Sequence, residues 1–301
     1  MNKLIIAAAL AAIAAPLPAV AAPASTSVAK TEAEVRMDHI SIVKLGSGSP
    51  LVLIPGLASP RAVWEGITPQ LANGHSVYLV QVNGFAGDTP GSNLEAGILD
   101  GIVSDLADYM GREGIGTAPI IGHSMGGLAG LMFARAHPDK VERLMIVDAL
   151  PFFAVLLASG GEEPTAASIE PVARIMRDQV AARYGKPFDA ASDVAGLALK
   201  PESRTKMAAW AAKADPRVTG QAMYEDMTTD LRPSLGSIEI PLTVVVPWSS
   251  TRFGKEQTLA FYARQYSGAR NISFVDIEEA GHFAMLDQPD AFRAIVKAFL
   301  K

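Results

Sequence analysis

Short apolar runs alternate with longer amphipathic segments along most of the chain. The apolar runs have the length of buried strands, and the segments between them carry apolar residues at helical spacing. Strands are predicted at residues 40–43, 51–54, 76–82, 118–121, 143–147, 242–246 and 271–277. Helices are predicted at residues 60–71, 94–110, 128–136, 255–266 and 289–300. Because strands that alternate with helices form a mostly parallel sheet covered on both faces, the pattern predicts an α/β fold.

The alternation stops between residues 150 and 236. This segment is rich in Ala, Met and Arg, and its pattern contains no convincing strand. Helices are predicted there at residues 169–184, 203–214 and 220–229. We therefore expect a helical cap at residues 150–236, inserted into an α/β core that residues 36–149 and 237–301 form.

The N-terminus has the three parts of a secretory signal peptide. Lys3 supplies a positive charge, residues 4–15 are apolar, and residues 19–21 form a small-x-small cleavage site. An apolar run of this length is too short for a membrane-spanning helix, which needs about 20 residues. The pattern predicts a signal peptide at residues 1–21, a loose leader at residues 22–35, and a periplasmic or secreted protein with no stable membrane anchor after cleavage.

Composition excludes several classes of protein. The chain has 301 residues, 49% of them hydrophobic, which suits one large domain or a domain with an insertion. It has no cysteine, so disulfides and cysteine-based zinc or redox sites are excluded. The formal net charge is −5 and Lys and Arg form no cluster, so no nucleic-acid partner is expected. The oligomeric state stays open.

A Gly-x-Ser-x-Gly motif at residues 122–126 follows one of the predicted strands and precedes a predicted helix. A serine on a sharp strand-to-helix turn needs neighbours with little side chain, which Gly122 and Gly126 provide. The turn would present the Ser124 hydroxyl above the sheet and place the Met125 N–H at a helix N-terminus, where it can stabilise an oxyanion. The motif predicts Ser124 as a catalytic nucleophile.

Three motifs in chain order resemble those of the α/β-hydrolase superfamily. They are Pro55-Gly56-Leu57 after a strand, the motif around Ser124, and Ala280-Gly281-His282-Phe283 after the last strand. The resemblance implies an α/β-hydrolase fold with a mostly parallel eight-stranded sheet, flanking helices and a helical cap. It implies that the Leu57 N–H is the second oxyanion donor and that His282 is the general base. Pro55 stands where many members of the family have His, and His123 is at a variable position of the motif.

The acid of the expected Ser-His-acid triad departs from the usual pattern. Most members of the family carry Asp or Glu after the seventh strand, where residues 246–252 of this chain contain no carboxylate and Ser250 stands at the expected position. A second solution in the superfamily places the acid after the sixth strand, where Asp148 lies. Neighbouring strands are only about 4.8 Å apart, so we expect Asp148 to reach His282. A purely structural role for Asp148 stays open, with Asp226, Asp230 and Asp287 as outside candidates; Asp287 is expected to start the last helix.

The cap is expected to select a small-molecule substrate, and no metal or organic cofactor is needed for the chemistry. The candidate substrate-binding residues are Trp64, Phe85, Phe152, Phe153 and Trp210. Further candidates are Leu156, Leu157, Met176, Met207, Met223 and Tyr224. Each of these side chains could instead simply pack the cap against the core. We expect a hydrophobic, small-to-medium carboxylic ester or lactone as substrate.

Two other functions compete with this interpretation. An amidase or proline-iminopeptidase-like peptidase would use the same triad and hold the substrate amino group with cap carboxylates, for which residues 162–163 and 225–226 are available. A non-catalytic binding protein on the same fold would explain the missing acid after the seventh strand. Dehalogenases and epoxide hydrolases are disfavoured, because in the family they use an Asp nucleophile at the position of Ser124.

Overall fold

The computed structural model describes residues 33–157 and 163–301. The predicted signal peptide and most of the predicted leader lie outside the described residues. Within the described ranges, no helix has the length and apolar character needed to cross a membrane.

Eight strands form one sheet in the order β1-β2-β4-β3-β5-β6-β7-β8. The strands are β1 (Val35–Arg36), β2 (Ile40–Leu45), β3 (Ser49–Ile54), β4 (His75–Val82), β5 (Ala118–His123), β6 (Val141–Val147), β7 (Leu242–Trp248) and β8 (Ile272–Glu278). β2 runs antiparallel to β1 and β4, and every later pair is parallel. The predicted mostly parallel, eight-stranded sheet is confirmed.

Helices cover the sheet and form the segment between β6 and β7. They are α1 (Thr68–Leu71), α2 (Ile98–Arg112), α3 (Met125–Ala136), α4 (Ala166–Ala181), α5 (Ala190–Val194), α6 (Pro201–Ala211), α7 (Pro216–Thr228), α8 (Lys255–Gln265), α9 (Ala284–Asp287) and α10 (Pro289–Phe299). Short 3₁₀ turns lie at Arg61–Trp64, Gly91–Leu94, Pro138–Lys140, Phe153–Leu157 and Arg232–Ser237.

Both faces of the sheet are buried. In β3, Val52 and Ile54 pack in one hydrophobic cluster, and Leu51 and Leu53 pack in another on the opposite face. This division follows the two-residue period of a strand, in which successive side chains point to opposite faces. Burial on both faces explains why the central strands are continuous apolar runs rather than alternating ones.

The described residues between β6 and β7 contain helices and turns and no strand, as expected for a helical cap. α4 and α7 pack closely, since a Cβ on Gly220 would lie only 2.7 Å from the Arg177 carbonyl oxygen. Glu225 of α7 ties the cap to the core, because its carboxylate accepts the N–H groups of Gly97 and Leu99 at 2.7 and 2.9 Å. These N–H groups begin α2, where a negative charge is stabilising.

Three local predictions differ from the structure. The helix predicted at residues 60–71 is a 3₁₀ turn followed by the four-residue α1. α2 begins at Ile98 instead of residue 94, because Gly97 takes a φ of 97° that interrupts the helix. The last leader residue, Val35, is not loose but pairs with Ile42 as part of β1.

Candidate active site

Ser124 lies on the sharp turn that joins β5 to α3. Its backbone has φ 53° and ψ −126°, a conformation that residues with a side chain rarely adopt. The turn is held on both sides: the Ser124 N–H donates to the Val147 carbonyl at 3.0 Å, and its own carbonyl accepts the Gly127 N–H at 2.7 Å. Packing therefore imposes the strained conformation that the motif predicts.

The two glycines of the motif allow close backbone contacts. A Cβ on Gly122 would lie 2.2 Å from the Gly126 carbonyl oxygen, and one on Gly126 would lie 2.4 Å from that of Pro55. A side chain at Gly122 would clash with the first turn of α3, and one at Gly126 would push the turn away from the loop after β3. That loop carries Leu57, so Gly126 allows Ser124 to lie close to the predicted oxyanion donor.

The two predicted oxyanion donors lie on either side of Ser124. Leu57 is in the loop after β3, and Met125 is the first residue of α3. Neither backbone N–H donates a hydrogen bond within the part of the chain that the structure describes. Both donors are therefore available to a ligand, and the dipole of α3 adds partial positive charge at Met125.

His282 and Asp148 form a hydrogen-bonded pair. The distance from His282 Nδ1 to Asp148 Oδ2 is 2.7 Å, and the two side chains are 25% and 14% exposed. With Nδ1–H donated to Asp148, the neutral ring leaves Nε2 as a proton acceptor. Ser124 and His282 line the same cavities. No hydrogen bond joins the Ser124 hydroxyl to the ring among the described residues, as is common before substrate binds.

Tyr262 of α8 is a third member of this hydrogen-bond chain that the sequence interpretation missed. Its hydroxyl donates to Asp148 Oδ1, the oxygen that His282 does not use. Burial, and next the negative charge of Asp148, raise the pKa of Tyr262 well above its usual value, so the hydroxyl stays protonated and remains a donor. Asp148 is thus held from two directions, by the imidazole and by the phenol.

The end of β7, where most of the family carries its acid, is occupied differently. Ser250 donates its N–H and its hydroxyl to Glu279 Oε1 at 2.9 and 2.7 Å, and Ser249 donates to Oε2 at 3.2 Å. These hydrogen bonds, first that of the Ser250 N–H, lower the pKa of Glu279. Ser250 is therefore engaged with Glu279, and no hydrogen bond links it to His282 within the described ranges.

The outside candidates for the acid have other partners or no partner. Asp230 pairs with Arg232 at 2.8 Å. Asp287 does not start a helix as predicted; it ends α9 and accepts the N–H groups of Gly281 and Leu199, joining the histidine loop to the cap. Asp226 lines the cavities beside His282, and its burial raises its pKa to about 7, against the opposing effect of positive charge on His282.

His123 is a structural residue. It is fully buried, and its Nε2 donates to the carbonyl oxygen of His282 at 2.9 Å. Burial, and next the proximity of His282, lower its pKa well below the usual value, so the ring is neutral. The side chain at this motif position therefore holds the backbone of the histidine loop, which the sequence interpretation did not anticipate.

Two cavities meet at Ser124, His282, Phe153, Leu197 and Asp226. The first, of about 640 Å³, extends over the end of β7, and we call it the acid-side chamber; its wall includes Asp148, Trp248, Arg252, Phe253, Phe261 and Tyr262. The second, of about 480 Å³, lies beneath the cap, and we call it the cap-side chamber; its wall includes Leu57, Met176, Met207, Trp210, Thr219, Met223 and Met227.

The structure separates the predicted substrate-binding residues into two groups. Phe153 and Leu156 line the acid-side chamber, and the cap-side chamber is lined by Phe153, Leu157, Met176, Met207, Trp210 and Met223. Trp64, Phe85, Phe152 and Tyr224 line neither chamber.

These four aromatic residues have structural contacts instead. Trp64 stacks on Phe292 at 6.3 Å between ring centroids, and Phe85 is fully buried in the core. Phe152 packs under the guanidinium of Arg232, and Tyr224 donates a hydrogen bond to Glu170.

Comparisons with known proteins agree with this architecture. Residues 51–295 match the sequence model of the Alpha/beta hydrolase family, and the chain belongs to that family. A pimeloyl-[acyl-carrier protein] methyl ester esterase of Aeromonas hydrophila is 33% identical over 38% of this chain and 43% of its own length. A soluble epoxide hydrolase of Corynebacterium sp. is 30% identical over 42% of this chain and 44% of its own. The chain therefore spans less than half the length of these curated relatives.

Among solved structures, a thermophilic esterase from Thermogutta terrifontis superimposes with a TM-score of 0.72 over 89% of this chain and 98% of that chain. Its sequence is 22% identical, so the likeness shows the fold alone. The fold is the α/β-hydrolase fold that the motifs predict. The relatives are esterases, epoxide hydrolases and other hydrolases, which supports an enzyme.

Proposed function

We propose that this chain is a serine hydrolase that cleaves carboxylic ester or lactone bonds of a hydrophobic, small-to-medium substrate. The observation that carries the proposal is the His282–Asp148 hydrogen bond on a cavity wall shared with Ser124. An imidazole oriented by a carboxylate next to a strained serine is the arrangement that activates a hydroxyl at neutral pH.

The chemistry follows from these positions. The Ser124 oxygen attacks the ester carbonyl carbon while its proton passes to His282 Nε2, and the N–H groups of Leu57 and Met125 bind the oxyanion. The intermediate then breaks its C–O bond to the alcohol, which takes the proton from His282 and leaves an acyl-enzyme on Ser124. Water, deprotonated by His282, releases the acid. Asp148 stabilises the imidazolium that forms in each half of the reaction.

The contacts of the cap carboxylates favour an ester substrate over a peptide substrate with a free amino terminus. Glu163 pairs with Arg232 at 3.1 Å, and Glu225 is used to anchor α7 on α2. Glu162 lies outside the described residues. Only Asp226 faces the chambers among the described carboxylates that the peptidase hypothesis requires. Asp193, another cap carboxylate on the wall of the cap-side chamber, pairs with Arg183. Among the described cap carboxylates on the chamber walls, a cationic amino group would thus find only Asp226 without a partner.

Ser124 argues against the chemistry of the epoxide hydrolase relative. The resemblance implies an Asp nucleophile in such enzymes, and this chain has Ser at that position. The unengaged N–H groups of Leu57 and Met125 argue against a binding protein, which has no need of oxyanion donors. That the reaction requires no metal or cofactor stays a prediction.

We also propose that the protein is exported, on the evidence of the N-terminal pattern at residues 1–21. N-terminal sequencing of the protein recovered from the periplasm and the medium tests this directly. A mature N-terminus near Ala22 is expected, and an uncleaved chain confined to the cytosol would contradict the proposal.

Labelling with a fluorophosphonate tests the nucleophile. The wild-type protein should be labelled on Ser124, and Ser124→Ala should not be labelled. Ser250→Ala, which removes a nearby hydroxyl at the β7 end, is the matched control and should label like wild type. A panel of aryl esters and aminoacyl arylamides then separates an esterase from a peptidase. Unchanged labelling of Ser124→Ala would overturn the assignment.

A further inference from the structure

Asp226 is a buried carboxyl group that the proposed mechanism does not use. It is on α7, its residue is 8% exposed, and it lines both chambers together with Ser124 and His282. No described side-chain or backbone group forms a hydrogen bond or ion pair with it, and its carboxyl group faces the space of the chambers. A ligand that forms a hydrogen bond with this carboxyl group is favoured over one that displaces water from it and leaves it unpaired.

The other carboxylates at this helix have partners. Glu225, the preceding residue, accepts hydrogen bonds from Gly97 and Leu99, and Asp215 at the start of α7 pairs with Arg217. Asp226 instead has Met223 and Met227 beside it on the chamber wall. His282 lines both chambers. The other ionisable groups lining them are Asp148, Arg252 and Tyr262 on the acid side, and His123, Arg183 and Asp193 on the cap side.

A second polar group on the same helix face also lacks a partner. Thr219 lines the cap-side chamber, and its buried hydroxyl has no hydrogen-bond partner among the described residues. It lies seven residues before Asp226, which is about 10 Å along a helix axis. Thr219 and Asp226 are therefore two polar groups without a described partner, about two helical turns apart on one wall of the cap-side chamber.

Asp226 lies where the two chambers meet, so the chamber that receives the acyl chain decides which half of the substrate it contacts. Leu57, whose N–H faces the carbonyl oxygen in the proposed mechanism, lines the cap-side chamber and not the acid-side chamber. An acyl chain that extends from the carbonyl into the cap-side chamber passes the wall to which Asp226, Met223 and Met227 contribute.

Resting on the proposed function, we propose that Asp226 is a specificity-determining residue that hydrogen-bonds a hydroxyl group near the scissile carbonyl on the acyl half of the substrate. The preferred substrates are then hydroxyacyl esters, or lactones with such a hydroxyl, rather than plain aliphatic esters. A hydroxyl suits this carboxyl in either protonation state, because it donates to the carboxylate and accepts from the neutral acid. With a pKa of about 7, both states are present near neutrality.

The test compares kcat/KM for p-nitrophenyl 3-hydroxybutyrate with that for p-nitrophenyl butyrate. Wild type should prefer the hydroxy ester by about tenfold or more, since a site with an unpaired polar group discriminates against a substrate that leaves it unpaired. Asp226→Leu should abolish this ratio, and Asp226→Asn, which keeps a donor and an acceptor, should retain most of it. Asp178→Asn, an exposed carboxylate of α4 with its side chain 63% exposed, is the matched control and should leave both rates unchanged.

Labelling of Ser124 in each variant separates the two proposals. If wild type hydrolyses both esters equally and Asp226→Leu leaves their ratio unchanged, the inference about Asp226 is overturned while the esterase proposal stands. If Asp226→Asn loses the preference as completely as Asp226→Leu, hydrogen bonding to a hydroxyl is also excluded. If wild type is neither labelled nor active on either ester, both proposals fail.

Discussion

The ends of β6 and β7 lie side by side in the sheet, and each holds a carboxylate in a different way. After β6, Asp148 is hydrogen-bonded to His282 and Tyr262. Glu279, which follows β8, lies beside the end of β7. Both of its carboxylate oxygens accept hydrogen bonds from Ser249 and Ser250. A carboxylate at the carboxyl edge of the sheet is therefore not sufficient for a triad. Its partners decide whether it can orient an imidazole.

Backbone geometry explains why Asp148 reaches His282. The Asp148 N–H donates to the Val245 carbonyl at 3.0 Å, and its φ of 47° turns the chain sharply at the end of β6. The chain therefore leaves the sheet beside β7, next to the loop that carries His282. Asp226 gives a third case, because it lies close to the same histidine but has no donor of its own.

The largest effect is expected from removing the proton acceptor. His282→Ala should lower kcat/KM for an aryl ester by about 10³-fold or more, because Ser124 loses its base and Asp148 loses the imidazolium that it stabilises. Steady-state kinetics measures this loss, with fluorophosphonate labelling as a second readout. Activity within tenfold of wild type would mean that another group takes the proton.

A stability effect of up to about 4 kcal/mol is expected at Asp226, from a pKa of about 7 in the folded protein against the ordinary value of 3.8. Between these values the folded state holds a proton that the unfolded state has lost, so stability falls as pH rises towards 7 and is level above it. Asp226→Asn lacks this loss. The difference in Tm, Asp226→Asn minus wild type, should increase from pH 4 to 7 and then stay constant. Scanning calorimetry measures this difference. A difference independent of pH would contradict the buried, unpartnered carboxyl.

A smaller effect is expected from the phenol that holds Asp148. Tyr262→Phe removes one hydrogen bond to the acid and leaves the His282–Asp148 contact in place, which should lower kcat by about tenfold with little change in KM. Tyr266→Phe is the matched control, because that hydroxyl donates to the Ala149 carbonyl and not to Asp148. Equal losses in the two variants would assign the effect to packing of α8.

Much of the fold could be predicted because buried apolar residues recur along the chain in recognisable patterns. Strands such as β3 and β4 are buried on both faces and read as continuous apolar runs. β1 could not be predicted, since it is two exposed residues that pair only because β2 lies beside them. α5 was also missed; Asp189 caps its first turn, but five residues carry no helical period.

The candidate site also has residues that could be predicted and residues that could not. The positions of Ser124, His282 and Asp148 could be predicted because their motifs are local and tied to strand ends. Trp64 and Phe85 could not be separated from Phe153, because residue type does not tell which side of a loop faces the cavity. Tyr262 contacts a residue 114 positions away, so its role depends on how α8 packs beside the residue that follows β6.

The most direct test of the β6 acid is a comparison of Asp148→Asn with Glu279→Gln in one aryl ester assay. Both variants replace a hydrogen-bonded carboxylate by an amide at neighbouring strand ends. Asp148→Asn should lower kcat/KM by about 10³-fold, because an amide cannot stabilise the imidazolium and favours the wrong histidine tautomer, whereas Glu279→Gln should stay within about threefold of wild type. Activity of Asp148→Asn within tenfold of wild type, with a larger loss in Glu279→Gln, would contradict the account.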